Sequence, residues 1–333
     1  MRVMALDIGG AYIKQAIVES KNLRVAGVET KTVYFPLWKE KNNLEKKLAE
    51  FVAGADAVAV TTTADASDAY MTKKEAATHV IDAVERVFGP GVNVLTTDAK
   101  LVPIEVAVKN PVSAASANWA ATAWYVSRLS GNAVLVDTGS TTTDIVPIKN
   151  GEVAAKGKTD FERLLAGELV YTGALRTNAA TIVDCVPVGG KKVAVSSEYF
   201  ANTADVYLIL GKIDEEGYTC ETPDGRGTDK KSAMARVARI VCADAGQLGE
   251  KAIKQICSFV AKSQEKRISA ALEKVIDDSK LENPKIYVTG TGSFIAKNVA
   301  GKLGLKCKEL GFGNAATAVC LALMVAERYG ECK

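Results

Sequence analysis

Histidine is almost absent from this chain: its 333 residues hold one, His79. That shortage argues against a histidine-rich metal centre and against a Ser-His-Asp triad, since only one imidazole exists to fill either role. There are seven cysteines, at 185, 220, 242, 257, 307, 320 and 332, but no C-x-x-C pair. A zinc ribbon or thioredoxin-type motif therefore has no support, and the thiols read as reduced, some of them core. Charge of one sign is also lacking. Forty-two Lys and Arg against 39 Asp and Glu leave +3, so no broad basic field points to nucleic acid. No stretch approaches the roughly 20 continuous apolar residues of a bilayer span. The run Val3–Leu6 reads as a strand and not as part of a signal peptide, so the expectation is a cytoplasmic protein with no membrane partner. A Walker A sequence and a low-complexity linker are missing as well.

What is present is ordinary globular composition, 48% hydrophobic and 24% charged, in a length that suits two domains or lobes. Short apolar runs alternate with helical patterns, which argues for an α/β protein. Val3–Leu6 enters Asp7-Ile8-Gly9-Gly10 and leaves through Ile13–Val18, reading as strand, glycine turn, strand. A helix with apolar spacing at Leu44, Leu48 and Phe51 follows, then a strand at Ala57–Val60. Thr72-Lys73-Lys74-Glu75 is a capping-box signature opening a helix whose buried stripe is Ala77, Val80, Ile81, Val84 and Phe88. His79 sits on that helix as a surface or half-buried residue. Asn93–Leu95 and Ile104–Val108 read as strands, and Ser113–Leu129 as an alanine-rich helix.

Ala133–Val136 then enters Asp137-Thr138-Gly139-Ser140-Thr141-Thr142-Thr143-Asp144 and leaves through Ile145–Ile148, a second strand, glycine turn, strand. Asn150-Gly151 is a hairpin turn signal. Helical pattern runs from Ser232 to Lys280 with a break near Asp244-Ala245-Gly246. A strand at Lys285–Val288 ends in Gly290-Thr291-Gly292-Ser293, a helix opens at Phe294, a short strand lies near Cys307–Leu310, and the last helix spans Asn314–Arg328. Two related lobes, each opening with a hairpin, explain the paired turns. The expected division is 1–130, completed by the helix 314–333, and 131–313.

The two turns carry the chemistry. Gly9, Gly10 and Gly139 lack a Cβ, so backbone N–H groups can approach a phosphate. Lys14 can neutralise charge, the ring of Tyr12 can stack or simply pack, and Ser140, Thr141, Thr142 and Thr143 add hydroxyls. Asp7 and Asp137 end the strands before the turns, where facing carboxylates can hold Mg²⁺ beside phosphate oxygens. Gly290, Thr291, Gly292 and Ser293 form a third turn at a helix N-terminus, a place that suits an anion or a nucleotide. An ordinary turn serves that sequence nearly as well.

This set of turns, with two small-residue helices, resembles the actin-like ATPase superfold of sugar kinases, Hsp70 and actin. Longer strings narrow the resemblance: Val136–Ile148; Asn118-Trp119-Ala120-Ala121-Thr122-Ala123; Gly167–Gly173 with Arg176-Thr177; Glu198–Ala201 with Thr203–Tyr207; Asp224-Gly225-Arg226; and Ala235-Arg236 through Cys242-Ala243-Asp244. They are similar to the hydantoinase/oxoprolinase-related family linked to tetrahydromethanopterin C1 metabolism, whose archaeal members include condensing enzymes of methanofuran biosynthesis. The stretch Val60–Tyr70 departs from the Met-Thr-Gly/Ala-Glu-Leu pattern of that family, with Asp65 as its nearest acidic residue.

The resemblance implies a two-lobed actin-like ATPase (ribonuclease H-like) fold with a central cleft. It also implies an Mg²⁺-dependent transferase that joins an aminomethylfuran-methyl diphosphate to the phenol of γ-glutamyltyramine and releases pyrophosphate. A phenol has a pKa near 10, so a carboxylate base helps; Asp144, Asp160 and Glu168 are the candidates. Arg176 and Arg226 are candidates to grip the glutamyl carboxylates. The partners are then small molecules, and a homo-oligomer is compatible with the sequence. The alternative on the same fold is an ATP-dependent small-molecule kinase or an ATP-driven amidohydrolase. A non-catalytic scaffold is a third class with little support.

Overall fold

The computed structural model describes residues 1–21, 24–51 and 54–330. The chain opens with three strands, β1 (Arg2–Ile8), β2 (Tyr12–Lys21) and β3 (Arg24–Tyr34). Then follow α1 (Leu37–Glu40), α2 (Leu44–Ala49), β4 (Ala57–Thr62), α3 (Lys73–Phe88), β5 (Val92–Leu95), β6 (Leu101–Pro103), α4 (Ile104–Lys109) and α5 (Asn118–Leu129). Strands β7 (Ala133–Thr138), β8 (Thr143–Lys149) and β9 (Glu152–Val153) precede α6 (Asp160–Ala166). The remainder is β10 (Leu169–Val170), β11 (Cys185–Val188), β12 (Lys191–Ala194), α7 (Thr203–Ile209), α8 (Lys230–Arg239), α9 (Ala245–Ser279), β13 (Lys285–Thr289), α10 (Ser293–Lys302), β14 (Cys307–Glu309) and α11 (Ala316–Gly330).

Two compact units result, one of Met1–Leu135, Val146–Ala166 and Leu310–Lys333, the other of Val136–Ile145 and Gly167–Glu309. The first unit takes in residues 146–166 as well as the C-terminal segment from Leu310. The hairpin of β8 and β9, closed at Asn150 and Gly151 with φ of 53° and 78°, returns 146–166 to the first unit.

In the first unit the sheet order is β3-β2-β1-β4-β5-β6. β1 pairs antiparallel with β2 and parallel with β4. Alternation of side chains gives the two faces different cores. Leu6, Ile8, Ile13, Val60 and Val94 pack with Leu44, Leu48, Phe51, Val80, Ile81 and Val84. The opposite face is built of small residues, with Ala5 in register with Ala16 on one side and Ala59 on the other. There α11 packs with its own buried Ala318 and Ala322, and α5 packs on α11. A methyl-sized row on both surfaces lets a helix approach a sheet closely, which is why these helices are alanine-rich.

The second sheet runs β10-β8-β7-β13-β14, and the boundary between the units falls within β7 and β8. Helix α9 buries Ile253, Ile256, Cys257, Val260, Gln264, Ile268, Leu272 and Val275, a stripe at 3.6-residue spacing. Gly249, at φ 75° and ψ 159°, interrupts α9 one turn in, near the expected break. Among the described residues no helix is long and apolar enough to cross a membrane, and the described cysteines are thiols; Cys332 lies outside them.

Two local expectations are corrected, and one strand was not expected. Ile104–Val108 is helix α4, because Ile104 and Ala107 bury at helical spacing behind Pro103 while Val106 and Val108 face outward. The helix expected from Ser113 starts at Asn118, since Ser116 takes a left-handed φ of 53° that a helix cannot continue through. Strand β3 had no apolar signature, because it is an edge strand and much of it is exposed. Half of the expected capping box forms: Glu75 N–H donates to Thr72 Oγ1 at 3.1 Å, while the Glu75 carboxylate accepts from Met71 N–H at 3.0 Å.

Candidate functional site

In the first unit the turn between β1 and β2 is closed by Gly9 N–H donating to the Tyr12 carbonyl at 2.9 Å. A Cβ on Gly9 would stand 3.1 Å from that same carbonyl, so the turn is drawn tight around glycine. Asp7 is 3% exposed, and its register partner Lys14 reaches its Oδ2 at 3.3 Å. Its Oδ1 is buried and meets no hydrogen-bond partner among the described residues. Tyr12 packs edge-on against Tyr34, with ring centroids 5.4 Å apart. The half-buried Gly10 uses its carbonyl to accept from Leu37 N–H at 2.8 Å.

The first unit also holds Asp160, at the start of α6. Its Oδ2 accepts from Ser116 Oγ at 2.8 Å and lies 3.2 Å from Lys73 Nζ. Asp65, whose side chain is fully buried, accepts from the Ser116 N–H and hydroxyl and pairs with Lys73 at 3.1 Å. Burial opposes the charge on Lys73, but Asp160 and Asp65 outweigh it and raise its pKa above the usual lysine value. The acidic residue of the Val60–Tyr70 stretch is thus joined to a candidate base through one serine and one lysine.

The second unit brings three segments together. The turn between β7 and β8 is closed by Gly139 N–H donating to the Thr142 carbonyl at 2.8 Å. Ala174 N–H donates to the Gly139 carbonyl, and the N–H groups of Leu175 and Arg176 both donate to the Ser140 carbonyl. A Cβ on Gly173 would fall 2.5 Å from Thr141 N. The third segment arrives as Gly290-Thr291-Gly292-Ser293. Gly290 has φ +87°, and a Cβ there would meet the Thr138 carbonyl at 2.3 Å and Asp137 Oδ1 at 2.5 Å. Gly292 N–H donates to the Thr138 carbonyl at 2.7 Å, and its own Cβ would collide with Thr138 Cγ2 at 2.4 Å. The glycines of the late turn therefore make room for the Asp137 turn. Gly292 and Ser293 spend their N–H groups inside the protein, and Ser293 Oγ donates to Glu309 at 2.6 Å.

Ser140, Thr141 and Thr142 are half-buried, while Thr143 is buried and donates its hydroxyl to the Thr172 carbonyl at 2.8 Å. Asp144, also half-buried, pairs across the sheet with Leu169. Glu168 is only 2% exposed, and its carbonyl accepts from Ile145 N–H. Arg176 is exposed at the edge of the turn. Gln264 of α9 fastens the assembly: its amide donates to Thr172 Oγ1 at 2.7 Å and to the Gly173 carbonyl at 2.8 Å, and it accepts from Tyr207.

Residues 56–328 match the family model of hydantoinase/oxoprolinase. The chain belongs to the hydantoinase/oxoprolinase family. A relative in Methanocaldococcus jannaschii, 40% identical over 89% of this chain and 88% of its own length, is a (4-{4-[2-(γ-L-glutamylamino)ethyl]phenoxymethyl}furan-2-yl)methanamine synthase. A Methanococcus vannielii synthase of the same name is 37% identical over 60% of this chain and 84% of its own length. Among solved structures, nucleotide-free acetone carboxylase superposes with a TM-score of 0.57 at 10% identity, over 97% of this chain and 70% of its own. The architecture is that of the actin-like ATPase superfold, with two mixed sheets and the meander β3-β2-β1 continued by β4 and β5.

Within this family member, several of the strings that carried the resemblance hold internal contacts. Arg236 and Asp205 are both fully buried, with Nε donating at 2.8 Å. Arg236 Nη1 and Arg239 Nη1 hold Asp224 at 3.1 and 2.8 Å. Tyr218 reaches Asp205 and Asn202, and Asn202 and Asp205 cap α7 reciprocally. Burial raises Asp205 above the usual carboxylate range against the pull of Arg236. Burial also opposes ionisation of Asp224, yet bonds from Arg239, the Arg226 N–H and Arg236 hold it below that range. Arg226 itself is 65% exposed and stands 3.9 Å from Asp224. In the first unit Trp119 serves as the floor for the buried Arg163, 4.2 Å from its ring.

Sequence reasoning did not single out Gly173, Gln264, Lys73 or Ser116. Gly173 lay inside a quoted string with no turn signal of its own. Gln264 and Ser116 become visible only when the chain is folded.

Proposed function

We propose that this chain is the Mg²⁺-dependent transferase that condenses an aminomethylfuran-methyl diphosphate with the phenol of γ-glutamyltyramine, releasing pyrophosphate, in methanofuran biosynthesis. The observation that carries this reading is the 40% identity, across nearly the whole chain, to a synthase named for the ether product. Its name describes a phenoxymethyl-furan bearing a methanamine and a γ-glutamylaminoethyl arm, which is the product of such a condensation. The ATP-dependent alternative has no comparable relative behind it.

The bond that forms joins the phenol oxygen to the furan methylene. The bond that breaks joins that methylene to the diphosphate oxygen, whose electron pair leaves with pyrophosphate. The furan ring shares the positive charge that builds as the bond lengthens, and the phenolic proton passes to a carboxylate. Asp144 and Asp160 reach solvent, whereas Glu168 is almost wholly enclosed, so the acceptor is drawn from the first two. The N–H groups of Gly9 and Gly139 close their own turns, so the phosphate contacts come from the other groups of the turns at 9–12 and 139–142, and Lys14 adds a positive charge. Arg176, exposed beside the Ser140 carbonyl, takes a glutamyl carboxylate of the amine substrate.

The residues fit a hard dication. Asp7 carries a buried carboxylate oxygen with no hydrogen-bond partner among the described residues, and the glycine at 290 is what lets Asp137 Oδ1 and the Thr138 carbonyl lie against the late turn. Asp7 and Asp137 are each, within their own unit, residues that would hold Mg²⁺. Bound there, the ion would stabilise negative charge gathering on the departing diphosphate.

The test is a mass-spectrometric assay of purified protein with Mg²⁺, the furan diphosphate and γ-glutamyltyramine. Ether and pyrophosphate should appear in equal amounts. Absence of ether, with ADP formed in a parallel tube holding ATP, would move the protein to the ATPase reading.

A further inference from the structure

A row of polar residues crosses the small-residue face of the first sheet just beyond the alanines. In register these are Thr32 on β3, Lys14 on β2, Asp7 on β1 and Thr61 on β4. Register partners on neighbouring strands project from the same face. Thr61 is 1% exposed, and its Oγ1 is buried without a hydrogen-bond partner among the described residues. Asp7 beside it is in the same condition at Oδ1, while its Oδ2 is taken by Lys14 at 3.3 Å. Neighbouring polar side chains of the strand end are satisfied: Thr62 Oγ1 donates to the Ile8 carbonyl at 3.0 Å.

Two oxygens on register partners, enclosed and without hydrogen-bond partners among the described residues, are costly to the empty protein. A valine would fit the Thr61 position with no such cost. An anion is a poor occupant, because the Asp7 carboxylate repels it. A divalent cation that keeps several waters suits both: oxygen is its preferred ligand, and its waters can donate to the carboxylate and to the hydroxyl.

We infer that Thr61 is a positioning residue of the metal site at Asp7, its hydroxyl holding Mg²⁺ or one of that ion's waters. This rests on the proposed role of Asp7. It makes Thr61, which lies in the Val60–Tyr70 stretch, a determinant of metal affinity.

The test compares Thr61→Val and Thr61→Ser with the wild-type protein. Isothermal calorimetry with magnesium pyrophosphate, and with pyrophosphate in EDTA, separates metal from anion binding; thermal unfolding in EDTA reports the empty fold. Thr61→Val should bind magnesium pyrophosphate about 10–100-fold more weakly, bind pyrophosphate in EDTA as the wild type does, and melt no lower in EDTA. Thr61→Ser should remain close to wild type. Unchanged magnesium pyrophosphate affinity in Thr61→Val would overturn the inference while leaving Asp7 untouched. So would a weaker affinity accompanied by a lower melting temperature in EDTA, which marks a packing role. If the wild type binds pyrophosphate equally with and without Mg²⁺, the metal role of Asp7 falls, and this inference with it.

Discussion

Gly290→Ala is the sharpest test of how the second unit is assembled. The substitution carries two separate penalties. Gly290 sits at φ +87°, where an L-residue costs about 1–2 kcal/mol. The new Cβ also falls 2.3 Å from the Thr138 carbonyl and 2.5 Å from Asp137 Oδ1. The first of those is backbone and cannot swing aside, so overpacking adds about 1–3 kcal/mol. Gly304 provides the control, since it has φ +70° with nothing within 4 Å of its would-be Cβ. Gly304→Ala carries the backbone penalty alone. At roughly 2–4 °C per kcal/mol for a unit of this size, Gly290→Ala should melt about 2–12 °C below Gly304→Ala in a scanning calorimeter. Its ether-forming activity should fall as well, because the displaced groups are the carboxylate and turn proposed to face the diphosphate. Equal melting temperatures for the two variants would refute the close approach of the late turn to Asp137.

Arg236→Met should cost about 3–5 kcal/mol in urea unfolding, because it strands the buried Asp205 carboxylate; adding Asp205→Asn should recover part of that loss. Asp224 has a lowered pKa in the folded protein, so its stabilisation is present above the unfolded value, near 3.9, and is lost as pH falls through the folded one. The stability gap between wild type and Asp224→Asn should therefore be full at pH 5–8 and close below about pH 4; a gap constant with pH would contradict it. Asp7→Ala and Asp137→Ala should each reduce Mg²⁺-dependent ether formation by at least about 10²-fold with circular dichroism unchanged. Arg176→Ala should raise the KM for γ-glutamyltyramine about 10–100-fold and leave that for the furan diphosphate in place; the reverse pattern would reassign Arg176 to the diphosphate.

Much of this fold is legible in the chain because its signals are local. The two Asp-Gly turns announce their own hairpins, the apolar stripe of α3 is continuous, and Thr72 caps it as its spacing suggests. β3 and α4 escaped because their local patterns mislead. β3 is a largely exposed edge, and the alternation Ile104-Glu-Val-Ala-Val mimics a strand while burying at helical spacing. For the site, residue type and position in a turn pointed to Asp7, Gly9, Asp137 and Gly139. They did not separate ligand contacts from internal ones. Thr143, Ser293 and Gly292 carry the right groups but spend them within the protein, and Asp224 serves as an anchor for Arg236 and Arg239. Thr61 and Gln264 stayed hidden because their meaning lies in a register partner or a distant loop.

In the proposed reaction the phenol oxygen attacks the furan methylene and expels pyrophosphate. This is tested most directly with ¹⁸O in the phenol of γ-glutamyltyramine, mixed with the furan diphosphate, Mg²⁺ and protein in the absence of nucleotide. An ether that retains the label should form, with unlabelled pyrophosphate in equal amount. An ether that forms only with ATP, or label appearing in a phosphate product, would contradict that reaction.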